Sequence, residues 1–144
     1  MTEQEKLVRD FIDIVLSREN RAAAEDYFAT DAQIVGLEGV AHSSRFEFLR
    51  FLSMIQSQFA FVRFEIMQAI CDGTWVSLMG QLVVTERGST RTSDERFQSS
   101  VRIEDGRIVE AHFFTDFINF FESMGRLPPR TLDRCLTGER LRFS

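Results

Sequence analysis

The sequence predicts an α+β fold, with three N-terminal helices packed on one face of a curved antiparallel sheet. Three observations carry that expectation. Apolar residues recur at helical spacing through the first third of the chain. From Phe61 onward the period falls to two, as a strand buried on one face requires. Asp105 to Gly125 then reads as a hairpin strand running into a short terminal helix.

Each element follows in order. Leu7, Val8, Phe11, Ile12, Ile14 and Val15 form one apolar stripe, so a helix spans 4–16. Asn20 suits the cap of a second, shorter helix through Ala22–Ala24 to Phe28, which Asp31 ends. Ala32 to Leu37 reads as a strand, and Gly36 and Gly39 frame a turn. Ser44-Arg45-Phe46-Glu47 fits a capping box and starts a third helix to about Phe59. Its core face would use Phe48, Leu49, Phe51, Leu52 and Ile55.

The next strand presents Val62, Phe64, Ile66 and Ile70 on one buried face. Asp72-Gly73 turns it into a second strand from Thr74 to about Thr85. The polar stretch from Glu86 to Asp94 reads as a long loop. Strands Phe97–Glu104 and Arg107–Phe117 close the last hairpin around Asp105-Gly106. Phe117, Phe120, Phe121 and Met124 then keep helical spacing, and Gly125 suits the C-cap. Pro128-Pro129 breaks the chain before a helical turn at Thr131 to Leu136. The expected organisation is one domain over 1–144, with a core at about 5–125 and an extension over 126–144.

Composition narrows the function classes. A chain of 144 residues buries about 70% of its unfolded surface. A net charge of −5 argues against nucleic acid, whose phosphates demand a cationic surface. Cys71 and Cys135 stand alone without a CxxC pair, and no secretory leader is evident. A cytoplasmic setting is the expectation. With His42 and His112 far apart and no carboxylate loop of recognisable spacing, neither a metal nor another cofactor is expected. The 15 Phe, against one Trp and one Tyr, suit a packed core, or a dry pocket for an apolar ligand.

Tyr27-Phe28-Ala29-Thr30-Asp31-Ala32 leading into the first strand, and Asp105-Gly106-Arg107-Ile108 leading to Asp116, resemble the nuclear transport factor 2 superfamily. Asp116-Phe117 followed by Met124-Gly125 looks most like its SnoaL-like polyketide cyclase branch, which stands beside the ketosteroid isomerases and limonene epoxide hydrolases. The resemblance covers about residues 5–125. It implies a cone-like fold with a strongly curved sheet, a cavity beneath the helices and dimerisation through the outer sheet face. It also places the relatives' acid–base groups, and this chain departs at each position. The isomerases' helix-one Tyr matches Phe11, and their base Asp matches Gly36. Their second Asp falls near Gln98 or Ser99. The acid/base Asp of the cyclases and the hydrolases matches Phe113, and the cyclases' helper His matches Ser99. A phenyl ring cannot move a proton, so these three chemistries are disfavoured and no catalytic residue is assigned.

Strand alternation tests whether His112 and Asp116 could substitute. His112, Phe114 and Asp116 share one face, while Ala111, Phe113 and Thr115 share the other. A three-residue loop would pair Ile103 with Arg107, Val101 with Val109 and Phe97 with Phe113. The odd-numbered face, Phe97, Ser99, Val101, Val109, Ala111, Phe113 and Thr115, then turns toward the cavity that the resemblance implies. His112 falls on the outer face opposite Gln98. Asp116 suits the N-cap of the terminal helix.

The expected ligand site is Phe11, Phe28, Gly36, Phe97, Ser99, Ala111, Phe113 and Thr115. The reading is a SnoaL-like protein binding a hydrophobic small molecule, with two alternatives about its chemistry. It is an enzyme of the lyase, isomerase or cyclase kind drawing its acid/base from Asp116, His42 or Asp31. Otherwise it is a non-catalytic ligand-binding or dimerisation module, or a small structural subunit of a larger enzyme. A homodimer through the outer sheet face is the expected assembly, without nucleic-acid or membrane partners. A buried titratable group in the cavity would separate the alternatives.

Overall fold

The computed structural model describes residues 1–36 and 43–142. Helix α1 covers Glu3–Phe11 and runs on without a break as a π-helical segment, Ile12–Ser17. The Thr2 hydroxyl caps α1 by accepting from the Glu5 amide at 3.1 Å. Val15 and Leu16 lie in the last turn of this segment, where carbonyls lack intrahelical partners. The buried Gln56 amide takes both, at 3.3 and 2.9 Å, and its Oε1 accepts from Arg21 at 2.6 Å. Asn20 caps the next turn as expected, a 3-10 helix at Arg21–Asp26. That turn stops early, and strand β1 already begins at Phe28 and runs to Val35. Asp31 therefore lies inside the strand rather than ending a helix.

A short strand β2 (Ser43–Ser44) leads into α2 (Arg45–Gln56). The Ser44–Glu47 capping box forms in both directions, at 3.2 and 3.3 Å. The helix buries Phe48, Leu52 and Ile55. Phe59 belongs to the next strand, β3 (Phe59–Asp72), which pairs antiparallel with β4 (Trp75–Glu86). Two register irregularities, at Phe61/Arg63 and Ile66/Gln68, shift the pairing along β3. Because each shift moves later residues to the opposite face, Val62 and Ile70 end up exposed while Phe64 and Ile66 stay half-buried. The expectation of four buried residues fails for that reason.

The supposed long loop after Glu86 is also a correction. Strand β5 begins at Thr92 and runs to Glu104, so only residues 87–91 connect it to β4. Strand β6 (Arg107–Thr115) follows. The hairpin loop has two residues, not three: Asp105 and Gly106 both take positive φ, 51° and 72°. Glu104 then faces Arg107, and after an irregularity at Arg102/Ile103 Val101 faces Ala111 and Ser99 faces Phe113. The register differs by two from the expected one, which preserves parity. Phe97, Ser99, Val101, Ala111, Phe113 and Thr115 do share a face; Val109 is the exception, because the irregularity leaves it unpaired and half-buried while Ile108 takes the buried place opposite Ile103.

The six strands lie in the order β2-β1-β6-β5-β4-β3. The sheet is mixed rather than purely antiparallel, because β1 joins β6 in parallel, with Ile34 beside Ala111 and Val35 beside His112. Helix α3 (Phe117–Ser123) follows β6, and α4 (Thr131–Leu136) packs against α3. α1 and α2 cover one face of the sheet, and the core between them holds Phe11, Val15, Phe28, Ile34 and Phe48. This is the expected cone-like fold. No helix among the described residues is long and apolar enough to cross a membrane.

Candidate functional site

Between the helices and the concave sheet face lies a cavity of about 130 Å³. Its walls come from the π-helical turn (Ile12, Leu16), α2 (Phe48, Phe51, Leu52), β3 and β4 (Phe64, Leu82), the last hairpin (Phe97, Phe113) and α3 (Phe117, Phe120). Aromatic rings dominate. Phe48 stacks on Phe113 with centroids 5.9 Å apart and planes within 9°. Phe64 meets Phe97 edge to face at 5.6 Å. Both geometries are favourable for aromatic pairs.

The expected site residues divide evenly. Phe97, Ser99, Phe113 and Thr115 line the cavity. Phe11 and Phe28 do not: they are fully buried behind Phe48, with centroids 5.1 Å apart, and form the packed layer that supports its ring. Ala111 is fully buried in the core between Ile34 and Val101 and does not reach the cavity. Gly36 serves as a contact between strands, since a Cβ there would stand 2.2 Å from the Phe113 carbonyl oxygen. These four are corrections to the expected lining, each made by packing that neither strand parity nor the family resemblance shows.

The candidate acid–base residues also separate. Asp116 is exposed and caps α3, accepting from the Asn119 amide at 2.9 Å. Asp31 is exposed on β1. His112 faces the outer side of the sheet beside Trp75 and bonds Glu110 at 2.6 Å. That bond is the main reason the Glu110 carboxyl is held below the ordinary carboxylate range. His42 lies outside the described residues, as do Leu37 and Gly39.

The ionisable side chain that does line the cavity is Glu95, which the long-loop reading of 86–94 and the strand start at Phe97 left out of view. It stands on the same face of β5 as Phe97 and Ser99, opposite Leu82 of β4, and is only 3% exposed. Its Oε1 accepts from the Ser93 hydroxyl at 2.5 Å and from the Asn119 side-chain amide at 2.8 Å. Asp116 thus acts indirectly, by fixing the helix turn that presents Asn119. Among the described residues no hydrogen bond reaches Glu95 Oε2 and no Arg, Lys or His pairs with the carboxyl. Burial pushes its proton affinity up, and Asp116 and Asp94 push the same way, while the Ser93 and Asn119 bonds oppose them.

A second polar atom stands unpartnered. Ser99 Oγ is buried, lines the cavity and has no hydrogen-bond partner. Four strand residues put its Cα roughly 13 Å from that of Glu95. The arrangement is an aromatic chamber with a carboxyl toward one end and a free hydroxyl toward the other. Among the described residues no three of His, Cys, Asp and Glu gather as a metal site would need.

The profile of the SnoaL-like domain matches residues 8–111. Among solved structures, the fold is similar to IdmH, a polyketide cyclase candidate from Streptomyces antibioticus. That match has a TM-score of 0.74 and 16% identity, over 86% of this chain and 99% of that one. It is similar to an LEH-like epoxide hydrolase from M. tuberculosis, with a TM-score of 0.68 and 16% identity over 94% and 96%. It also matches an NTF2-like protein of unknown function from Burkholderia pseudomallei, at 0.71 and 19% over 85% and 97%. At these identities the likeness is one of fold. No curated protein matches the sequence.

Proposed function

The chain belongs to the SnoaL-like domain family, and from that premise we propose that it binds a hydrophobic small molecule in the cavity beneath its helices. The observation that carries this reading is the chamber itself: about 130 Å³ walled largely by Phe side chains, with Glu95 the one ionisable lining group among the described residues. Cavities of similar size lined by apolar side chains stay dry and accept a benzene ring. A single ring or a branched chain therefore fits the chamber as it stands. A polycyclic ligand exceeds that volume.

Glu95 favours a second reading, in which the bound molecule is also turned over. The positions matched to the relatives' acid–base groups hold Phe11, Gly36, Ser99 and Phe113. An isomerase, lyase or cyclase reaction here would run its proton through Glu95, whose burial raises its proton affinity as such a role requires. The polyketide cyclase and epoxide hydrolase names of structural neighbours suggest substrates of that hydrophobic kind.

For assembly, the outer sheet face supports a homodimer. Ile70, Met79 and Phe114 are exposed there around a shallow depression shared with His112, and Ser77 bonds Ser100 at 3.0 Å across neighbouring strands. Sedimentation should then give a dimer that Phe114→Arg converts to monomer.

A thermal-shift series with toluene, indene, menadione and a steroid tests the ligand reading. A ligand at 100 times its dissociation constant stabilises by about 2.7 kcal/mol, worth roughly 5–10 °C in a domain of this size. The shift should disappear in Phe113→Arg. A flat series, or a shift that survives Phe113→Arg, would remove the cavity from the account.

A further inference from the structure

Glu95 carries more information than its placement in the cavity. A buried carboxyl is commonly either paired with a cation or neutralised. Here the two donors to Oε1, Ser93 and Asn119, favour the ionised form, yet the protein supplies no counter-ion among the described residues. Leu82 of β4 and Phe97 flank it, and the chamber wall opposite is aromatic. The charged neighbours acting on it are Asp94 from its own strand and Asp116 from the start of α3, both acidic. The two acidic neighbours therefore disfavour a second anion beside the carboxyl and favour a cation, while the Ser93 and Asn119 bonds support the ionised form that would pair with it. Phe faces, with their negative π-surface, act in the same direction.

We propose that the ligand of this cavity is a protonated amine carried on a small apolar ring or chain, its ammonium group hydrogen-bonded to Glu95 Oε2 and its body held among the Phe side chains. The inference rests on the ligand-binding reading above and names the chemical class of that ligand. Ser93 and Asn119 are positioning residues: they occupy Oε1 and leave Oε2 for the ligand. The unpartnered Ser99 hydroxyl, near the far end, can meet a polar group on the distal part of a longer amine.

Benzylamine and benzyl alcohol test this directly, because they match in size and differ in charge at pH 8. Calorimetric titration should show benzylamine binding at least about tenfold more tightly, the worth of one hydrogen bond to a charged group. Glu95→Gln should abolish that preference while retaining the alcohol. On the unaltered protein, benzylamine affinity should rise as pH climbs from the ordinary carboxyl value of 4.5 through the raised one, as the carboxyl loses the proton that competes with the ammonium; the alcohol's should not. That pH series keeps the test decisive if the variant fails to fold. Equal binding of the two compounds, or an alcohol preference, overturns the amine assignment while leaving the apolar ligand site standing. Binding of neither compound overturns both.

Discussion

Replacing Gly36 with Ala probes the join between β1 and β6 that sets the cavity's sheet wall. Gly36 has φ +99°, and a Cβ there would lie 2.2 Å from the Phe113 carbonyl oxygen. Two costs follow. An L-residue in the left-handed region costs about 1–2 kcal/mol. Restoring ordinary contact needs a retreat of roughly 1 Å between the strands, an overpacking cost of about 1–3 kcal/mol. Gly36→Ala should therefore lose about 2–5 kcal/mol, which at about 4 °C per kcal/mol lowers the melting midpoint by roughly 8–20 °C. Gly88 provides the control. It has φ +75° and nothing within 4 Å of an added methyl group, so Gly88→Ala should lose only about 1–2 kcal/mol. Urea unfolding measures both, with the slope unchanged if only stability is altered. Equal losses in the two variants would refute the claim that Gly36 is required by its approach to Phe113.

Two other perturbations have defined outcomes. Gln56→Leu removes the amide that satisfies the Val15 and Leu16 carbonyls of the π-helical turn and the acceptor for Arg21; it should cost about 1–3 kcal/mol in urea unfolding, against less than about 0.5 kcal/mol for Ser53→Ala on the exposed side of α2. Glu95 predicts a pH effect on the ligand-free protein. Its folded-state proton affinity is raised, chiefly by burial, so the folded chain holds its proton where the unfolded chain has lost it. Stability from this group is complete below the ordinary carboxyl value of 4.5 and falls as pH rises from there through the raised value. Glu95→Gln should flatten that fall, and urea midpoints at pH 4 to 8 would show it; an unchanged pH profile would contradict it.

The parts legible in the sequence are those written in local pattern. The apolar stripe of α1, the Ser44–Glu47 box, the Asn20 cap and the Asp105-Gly106 turn each act through residues a few positions apart, and each appears in the fold. The odd-numbered face of the last hairpin was legible, Val109 apart, for a subtler reason: a shorter turn plus one irregularity moved the register by two, which leaves the faces unchanged beyond the irregularity. In β3 the irregularities were invisible, because no residue type marks them, and Val62 and Ile70 consequently lie outside. The parallel partnership of β1 with β6 depends on contacts about 77 residues apart in sequence (Ile34 with Ala111), which no window detects. Glu95 escaped because hydrophobicity defines strands only where the inward residues are apolar. Ser93 and Glu95 point inward from a strand whose composition reads as a loop. The site's most distinctive group was hidden by the polarity that makes it useful.

The most direct test of the central claim is to locate a bound apolar molecule. Nuclear Overhauser contacts from toluene should reach the rings of Phe97 and Phe113 and the methyls of Leu52, the lining of the chamber under the helices. Contacts to Ile70 and Met79 on the outer sheet face instead, or none at saturating toluene, would contradict it.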